Sequence, residues 1–341
     1  MLAETLAQLV AGRPLTEAEA HKAFAHILEG EADDAQIGAL LAFIARRGPT
    51  IDELVGAARA MRDVLTPIPY TPPEGEALID TCGTGGAPKT FNISTAAALV
   101  VAGAKGSRRV RVAKHGNRSR TGRGSAEILT ALGVNVDAPP EAQARCLERA
   151  GLCFCFAIHH HPATRHASSA RKSLGFPTIF NLLGPLTNPA RAPRQLIGVF
   201  DRVYVEPMAR ALHRLGAERA MVVHGLDKMD EVSTTDRTYI AHLKDGAVST
   251  ELFDAASIPI KRARHEDLRA DSVEAAARVV RSVLEGHPGP ARDIVTLNAG
   301  AALFVADAAP TIREGVDLAR KAIDAGAAAE ALRALALASV S

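Results

Sequence analysis

Residues 80–95 read DTCGTGGAPKTFNIST, and they join a short apolar strand to a helix of small residues through a glycine-rich turn. Residues 77–80 predict the strand, and residues 94–104 predict the helix. Such a turn leaves backbone N–H groups uncovered, and the positive end of the helix dipole adds to them. Asn92, Ser94 and Thr95 bring an amide and two hydroxyls to the same place. The segment therefore predicts an α/β fold with a phosphate or pyrophosphate site at this turn.

Strands and helices alternate along the rest of the chain. Further strands are predicted at residues 110–113, 152–158, 195–199 and 219–223. Helices are predicted near residues 125–132, 205–215, 272–284 and 312–325. This alternation predicts an α/β domain with a central mixed or parallel sheet and helices on its faces.

The N-terminal segment has a different pattern, which predicts a small helical domain over residues 1–68. Thr16 with Glu19 has the spacing of a capping box at the start of an apolar helical repeat, and residues 50–53 open a further helix. Residues 67–73 contain four prolines and predict a linker. We expect residues 74–341 to form the larger α/β domain, and helices near residues 165–185 to join the helical one.

Composition excludes several classes of protein. The 341 residues are 47% hydrophobic and 23% charged with a net charge of +2, which is typical of a globular protein. Aromatic residues make up 4% with no Trp, so a platform for stacking nucleic-acid bases has little to be built from. We find neither a signal peptide nor an apolar run of the roughly 20 residues that a membrane span needs. The four cysteines lack metal-site spacing, and a soluble cytoplasmic protein is expected.

Two further polar groups follow predicted strands. Residues 114–118 read KHGNR, in which Lys and Arg offer cationic donors to a phosphate and Gly allows close approach of the backbone. Asp230 and Glu231 follow another strand and glycine turn. Their carboxylates are ligands of the kind that Mg²⁺ prefers, completed by substrate phosphates and water. With the phosphate turn, they predict a magnesium-assisted phosphate site.

A histidine run at residues 159–161 precedes Arg171 and the stretch FNLLGPLTNP at residues 180–189. The run lacks the Glu of a zinc-protease helix and the Cys partners of a zinc finger. It favours a loop that lines a pocket for a second substrate, where Arg171 pairs with a carboxylate.

These motifs resemble, in the same order, those of the anthranilate phosphoribosyltransferases of tryptophan biosynthesis, whose fold is shared with the pyrimidine nucleoside phosphorylases. The matching segments are residues 83–86, 91–95, 114–118, 180–189 and 230–231. The resemblance extends to residues 30–37 and 289–298, and so it covers nearly the whole chain.

The resemblance implies a homodimer whose active site lies between a small helical and a large α/β domain. It implies a donor, phosphoribosyl pyrophosphate (PRPP), held by Gly83, Gly86, Thr90, Asn92, Ser94, Thr95 and Lys114. It implies Mg²⁺ shared by Ser94, Asp230 and Glu231. It implies anthranilate bound by Gly83, His115, Asn117 and Arg171. No residue is assigned as an obligatory acid or base, because the anthranilate amine is neutral and already nucleophilic.

The sequence departs from the family pattern in three places. Ala87 stands where Asp is usual, in a turn one residue shorter. The segment after Arg118 is also shorter and carries Arg120 and Arg123, and residues 105–108 are an addition. These changes lie on the diphosphate side of the site.

Three alternatives remain open from sequence. One is a phosphoribosyltransferase for another aromatic amine, and another is a nucleoside phosphorylase of the same fold. The third is a non-catalytic nucleic-acid-binding relative, for which the basic residues between Arg108 and Arg123 would supply the contacts. The near-neutral net charge and the Asp-Glu pair argue against it.

Overall fold

The computed structural model describes residues 2–86, 88, 90–118 and 122–340. Ala87 and Arg120, two of the departures noted above, lie outside the described residues. The helices run, in chain order, α1 Leu2–Val10, α2 Glu17–Leu28, α3 Asp34–Arg47, α4 Ile51–Asp63, α5 Ile93–Gly103, α6 Ser125–Ala131, α7 Pro140–Ala150, α8 Ala157–His160, α9 Ser168–Leu174, α10 Ile179–Leu183, α11 Val205–Arg214, α12 Val273–Leu284, α13 Pro290–Val305, α14 Ile312–Asp324 and α15 Ala327–Ser339. The strands are β1 Ala77–Gly83, β2 Val110–Gly116, β3 Leu152–Phe156, β4 Arg194–Gly198, β5 Arg219–Gly225, β6 Thr238–Lys244 and β7 Ala247–Phe253.

The seven strands form one mixed sheet in the order β3-β2-β1-β4-β5-β6-β7. The first five in that order pair in parallel, and β6 and β7 add an antiparallel edge. The predicted fold class, a helical N-terminal segment followed by a mixed α/β domain, is confirmed. The strand predicted at residues 152–158 ends at Phe156, because the chain turns there into α8.

The capping box expected at Thr16 is present, and a second one lies at Thr50. The Thr16 hydroxyl accepts from the N–H of Glu19, and the Thr50 hydroxyl accepts from that of Glu53. Glu53 is fully buried, where it also accepts from Leu15 N at 3.0 Å and pairs with the Arg47 guanidinium at 2.7 Å. The cap at the start of α4 thus also ties α4 to the α1–α2 connection and to the end of α3.

Two apolar cores cover the two faces of the sheet. One contains α5, α7 and α12 to α15 with side chains such as Met221 and Val223 of β5. The other contains α1 to α4, α10 and α11 with the intervening residues Ala220 and Val222 of the same strand. Successive side chains of a strand point to opposite faces, so these two sets of helices lie on opposite sides. Helices α9 and α10 pack against α3 and α4.

The order in which strands are added to the sheet reverses at β1. Strands β2 and β3 lie on one side of β1, and β4 and the later strands lie on the other. Helix α5, which follows β1, packs on one face, whereas α11, which follows β4, packs on the other. In open α/β sheets a crevice forms at such a point, outside the carboxyl ends of the strands. Among the described residues, no helix combines the length and apolarity needed to cross a membrane.

Candidate active site

Four parallel strands end in glycine at this crevice: Gly83 of β1, Gly116 of β2, Gly198 of β4 and Gly225 of β5. Two of them make room for Asp230. A Cβ added to Gly198 would lie 1.7 Å from the Asp230 carbonyl oxygen, and one added to Gly83 would lie 2.9 Å from Asp230 Oδ2. Asp230 therefore packs directly against the ends of β1 and β4.

The glycine-rich turn is built from left-handed backbone. Gly85 and Gly86 have φ of +66° and +95°, and Asn92 has φ of 64° immediately before α5. The Asn92 side chain makes no capping bond to the helix, and it stays partly exposed together with Thr90. Gly83 and Gly86 are exposed along the same turn. Four of the seven residues predicted to hold the donor thus line an accessible turn.

Lys114 links the turn to the other polar groups. The residue is 2% exposed, and its Nζ donates to Thr81 O at 2.6 Å and to Ser94 Oγ at 3.1 Å. Burial lowers the pKa of the Lys114 ammonium, against the attraction of Asp80 and other neighbouring anions. Its charge therefore lies beneath the start of α5 and orients the Ser94 hydroxyl.

Ser94, Asp230 and Glu231 come together at the same point. Glu231 Oε1 accepts from the N–H of Ser94 at 3.1 Å. Burial, and next the Asp230 carboxylate, raise the pKa of Glu231 to about 8, while Lys114 opposes the rise. Two carboxylates and a hydroxyl crowded in this way form a set of hard oxygen donors, which suits Mg²⁺. The donor set thus fits the metal that was predicted from sequence.

A buried carboxylate that the sequence analysis did not single out supports this arrangement. Asp80 is 0% exposed, and its Oδ1 accepts from the N–H of His115 at 3.0 Å. Its Oδ2 accepts from Asn188 Nδ2 at 2.8 Å, which also donates to Ala113 O at 2.8 Å. Burial raises the pKa of Asp80 to about 6. Its position in an apolar strand just before the glycine turn was the available signal, because a charged residue inside a buried strand needs partners.

His115 is held in one tautomer. Its Nδ1 lies 3.0 Å from Gly184 O, and a carbonyl only accepts, so this nitrogen carries the hydrogen. Its Nε2 is buried and has no partner among the described residues. Burial, and next the imidazole of His161, hold the pKa of His115 well below its usual value. The side chain therefore offers a lone pair at neutral pH.

The histidine run divides between three environments. His159 is exposed and lies 2.9 Å from Asp137, whereas His160 is buried and lies 2.8 Å from Gln143. His161 packs beside His115 with ring centroids 5.1 Å apart, and burial lowers its pKa to about 4. The three side chains thus do not converge on one point.

Arg171, on α9, has a guanidinium 4.9 Å from the centre of the Phe180 ring. Burial lowers the pKa of Arg171, and no carboxylate among the described residues lies within ion-pair distance of it. A desolvated cation without a counter-charge is costly, so the position favours an anionic ligand.

Asn117 and Thr95 lie differently from the residues above. Asn117 is exposed after β2, and its Oδ1 accepts from the N–H of Arg118 at 2.8 Å. The Thr95 hydroxyl is buried without a partner among the described residues, and it lines a small internal space with Leu129 and Cys153. The binding of PRPP by Thr95 remains a prediction.

Some of the basic residues that a nucleic-acid-binding protein would need are engaged in contacts within the protein. Arg111 is 5% exposed and pairs with Glu76, and Arg123 donates to Ala270 O at 2.6 Å. With Lys114 buried as well, these side chains do not form one exposed surface for a phosphate backbone.

The architecture and the site define a glycosyltransferase. Residues 3–64 match the helical bundle domain of a glycosyl transferase family, and residues 75–329 match its a/b domain. An anthranilate phosphoribosyltransferase from Thioalkalivibrio sulfidiphilus is 49% identical over 94% of both chains. The chain belongs to the anthranilate phosphoribosyltransferase family, and the resemblance found in the sequence is confirmed.

Solved structures agree with the fold. The crystal structure of an anthranilate phosphoribosyltransferase from Thermus thermophilus superposes with a TM-score of 0.91 at 38% identity, over 98% of this chain and 99% of that one. The Saccharomyces cerevisiae enzyme, in complex with PRPP and Mg, superposes with a TM-score of 0.89 at 22% identity, over 99% and 98%.

Proposed function

We propose that this protein transfers the 5-phosphoribosyl group of PRPP to the amine of anthranilate, with release of pyrophosphate, in tryptophan biosynthesis. The observation that carries the proposal is the convergence of Ser94, Lys114 and the Asp230–Glu231 pair beside the glycine turn. Family membership and the names of the relatives support the choice of substrates.

The donor side of the site would be formed by the turn and the start of α5. Backbone N–H groups of Gly83 and Gly86, the side chains of Thr90 and Asn92, and the N-terminal end of α5 suit an anionic diphosphate. Ser94, Asp230 and Glu231 would hold Mg²⁺, and the structure of the S. cerevisiae enzyme in complex with PRPP and Mg supports a metal beside the donor. Bound there, Mg²⁺ supplies positive charge for the departing pyrophosphate.

The acceptor side would be formed by His115, Asn117, Arg171 and the backbone at Gly83. The uncompensated guanidinium of Arg171 suits the anthranilate carboxylate. The lone pair on His115 Nε2 suits a hydrogen of the amine and would orient its nitrogen. Because the amine is neutral, alignment of nitrogen and anomeric carbon supplies much of the rate acceleration.

We propose further that the protein is a cytoplasmic homodimer, with the domains at residues 1–68 and 74–341. Val10 on α1 is 67% exposed and Phe43 on α3 is 38% exposed, and the two helices pack together. Exposed apolar side chains on adjoining helices support an interface between copies. A single 36 kDa species in light scattering at micromolar concentration would contradict the dimer.

A turnover assay tests the proposed function. Pyrophosphate release from PRPP should require Mg²⁺ and anthranilate, and other aminobenzoates should react more slowly. The double variant Asp230→Ala, Glu231→Ala should lose Mg²⁺-dependent turnover but keep its circular dichroism spectrum. Asp236→Ala, in the same connection, is the matched control and should keep activity. Undiminished turnover in the double variant would exclude Asp230 and Glu231 as metal ligands. Faster turnover with another aromatic amine would show that anthranilate is not the acceptor.

A further inference from the structure

The carboxylates of Asp230 and Glu231 lie in the irregular segment that joins β5 to β6. No helix or strand ladder therefore sets their position. Mg²⁺ demands nearly ideal octahedral geometry, so its protein ligands must be held in place before the metal binds. Asp230 is restrained by its packing against Gly83 and Gly198, and Glu231 needs a restraint of its own.

Asp227 sets the internal shape of the segment. Its Oδ1 accepts from the N–H of Met229 at 3.0 Å, and its Oδ2 accepts from the hydroxyls of Ser233 and Thr235. All of these partners belong to the same segment. Asp227 thus folds the loop on itself, but these bonds do not fix where the loop lies relative to Ser94.

Asn298, on α13, connects the segment to the body of the protein. It is 1% exposed, and its Oδ1 accepts from the N–H of Val232 at 2.9 Å. Its Nδ2 donates to Val232 O and to Ile294 O, both at 2.9 Å. The side-chain amide therefore pairs with the Val232 peptide as a neighbouring strand would, and both hydrogens of Nδ2 are used. Val232 directly follows Glu231.

Helix α13 packs against α5, the helix that begins beside Ser94. Glu231 is thus restrained from both sides, because its carboxylate accepts from Ser94 N at 3.1 Å and its backbone neighbour is bound to Asn298. We propose that Asn298 is a positioning residue, which fixes the Glu231 carboxylate relative to the Ser94 hydroxyl so that the metal can bind. This inference rests on the metal site in the proposed function, and it assigns Asn298 no contact with substrate.

Asn298→Ala tests the inference by removing the pairing with Val232. We expect Mn²⁺ affinity, measured by electron paramagnetic resonance with inorganic pyrophosphate present, to fall about 10- to 100-fold, as is typical when support of a ligand is lost. The Mg²⁺ concentration for half-maximal turnover should rise in parallel. The KM for anthranilate should change less than about twofold, because α13 packs mainly against α5 and α14 and not against the elements that carry His115 and Arg171.

Thr296→Val is the matched control on the same helix. Thr296 is 0% exposed, and its hydroxyl donates to Asp293 O at 2.9 Å within α13, so the change removes a buried hydrogen bond away from the loop. Its Mn²⁺ affinity should stay within about twofold of the wild type. A loss as large as that of Asn298→Ala would overturn the inference, since any damage to α13 would then suffice.

Asn298→Gln serves if the alanine variant does not fold. The longer side chain keeps the amide but displaces it by one methylene, so about a three- to tenfold loss of Mn²⁺ affinity is expected. Wild-type affinity in a folded variant at position 298 would overturn the positioning role. Asp230→Asn with Glu231→Gln separates the two proposals: if that variant binds Mn²⁺ as the wild type does, the metal site itself is wrong and Asn298 loses its role with it.

Discussion

At the scale of single residues, the site depends on charged groups that the fold withdraws from water. The ammonium of Lys114 is satisfied by Thr81 O and Ser94 Oγ, and the neighbouring Asp80 carboxylate offsets part of the cost of its burial. Because these groups share one small region, a change in the charge of one alters the proton affinity of the others. Arg171 differs, because no carboxylate of the described chain offsets its charge.

Arg171→Ala should raise the KM for anthranilate about 10- to 100-fold, the range expected for a charge-assisted hydrogen bond. The KM for PRPP should change less than about twofold. Arg165→Ala, an exposed arginine nearby that donates to Pro162 O at 3.3 Å, is the control and should leave both constants unchanged. Steady-state kinetics with each substrate varied in turn would measure this. Equal effects on the two KM values would remove Arg171 from the acceptor site.

Asp80 predicts a dependence of stability on pH. Burial raises the pKa of Asp80 from 3.8 to about 6, so the folded state holds the Asp80 proton more tightly than the unfolded state does. The resulting contribution to the free energy of unfolding is fully present below about pH 4 and is lost as the pH rises through about 6. The free energy of unfolding of wild type minus that of Asp80→Asn should therefore fall by roughly 3 kcal/mol between these limits. Urea titrations from pH 4 to pH 7 would measure it. A difference that is constant with pH would contradict the prediction.

At the scale of secondary-structure elements, the glycines at the ends of the strands determine how closely the connecting segments pack against the sheet. Gly83 and Gly198 pair in register on β1 and β4, and Thr84 N donates to Gly198 O at 2.9 Å. The paired ends of β1 and β4 form the surface on which Asp230 lies. Asp230 thus packs against backbone at this point, which leaves it little freedom to move.

Gly198→Ala should displace Asp230, because its Cβ would lie 1.7 Å from a backbone oxygen that cannot rotate away. We expect a loss of about 1–3 kcal/mol in the free energy of unfolding, typical of overpacking, together with weaker Mn²⁺ binding in the presence of pyrophosphate. Gly38→Ala in α3, where the added Cβ meets no atom within 4 Å, should instead stabilise by about 0.5–1 kcal/mol. Normal stability and metal binding in Gly198→Ala would show that the approach is not a constraint.

Element by element, the sequence predicted structure well where local signals were strong. The capping boxes at Thr16 and Thr50 mark the starts of α2 and α4, since they depend on residues three apart. The β6–β7 hairpin was not predicted, because β7 is a largely exposed edge strand without an apolar face. Its available signal was Asp245-Gly246, whose φ values of 51° and 75° suit a tight hairpin turn.

At the scale of the whole molecule, the N-terminal helices and the sheet share one apolar core. Side chains of α2 and α4 belong to the same cluster as Leu183 of α10 and Leu212 of α11. Polar ties reinforce it: Arg62 Nε donates to Leu186 O at 2.9 Å, and its Nη1 donates to Leu215 O at 3.0 Å. The helical segment thus covers one face of the α/β domain.

A chain of residues 67–341 should therefore fail to fold as a stable monomer, because it would expose the apolar face that α2 and α4 cover. Dye binding to exposed apolar surface, with loss of a cooperative urea transition, would be the expected result. The full chain with Asp52→Ala, which removes only a partly exposed ion pair with Arg214, should lose less than about 1 kcal/mol. Cooperative unfolding of the shortened chain would contradict this account.

The sequence by itself determined the chemistry of the site and its place in the fold. Residues 80–95 and 114–118 include the ends of β1 and β2, residues 230–231 follow β5, and the ends of parallel strands meet at one edge of a sheet. Only the tertiary structure decided which groups hold these residues in position. Asp80 bonds to Asn188, 108 residues away, Ser94 to Glu231, 137 away, and Val232 to Asn298, 66 away. Local periodicity and spacing carry no information on such partners, because each bond forms only when distant elements pack together.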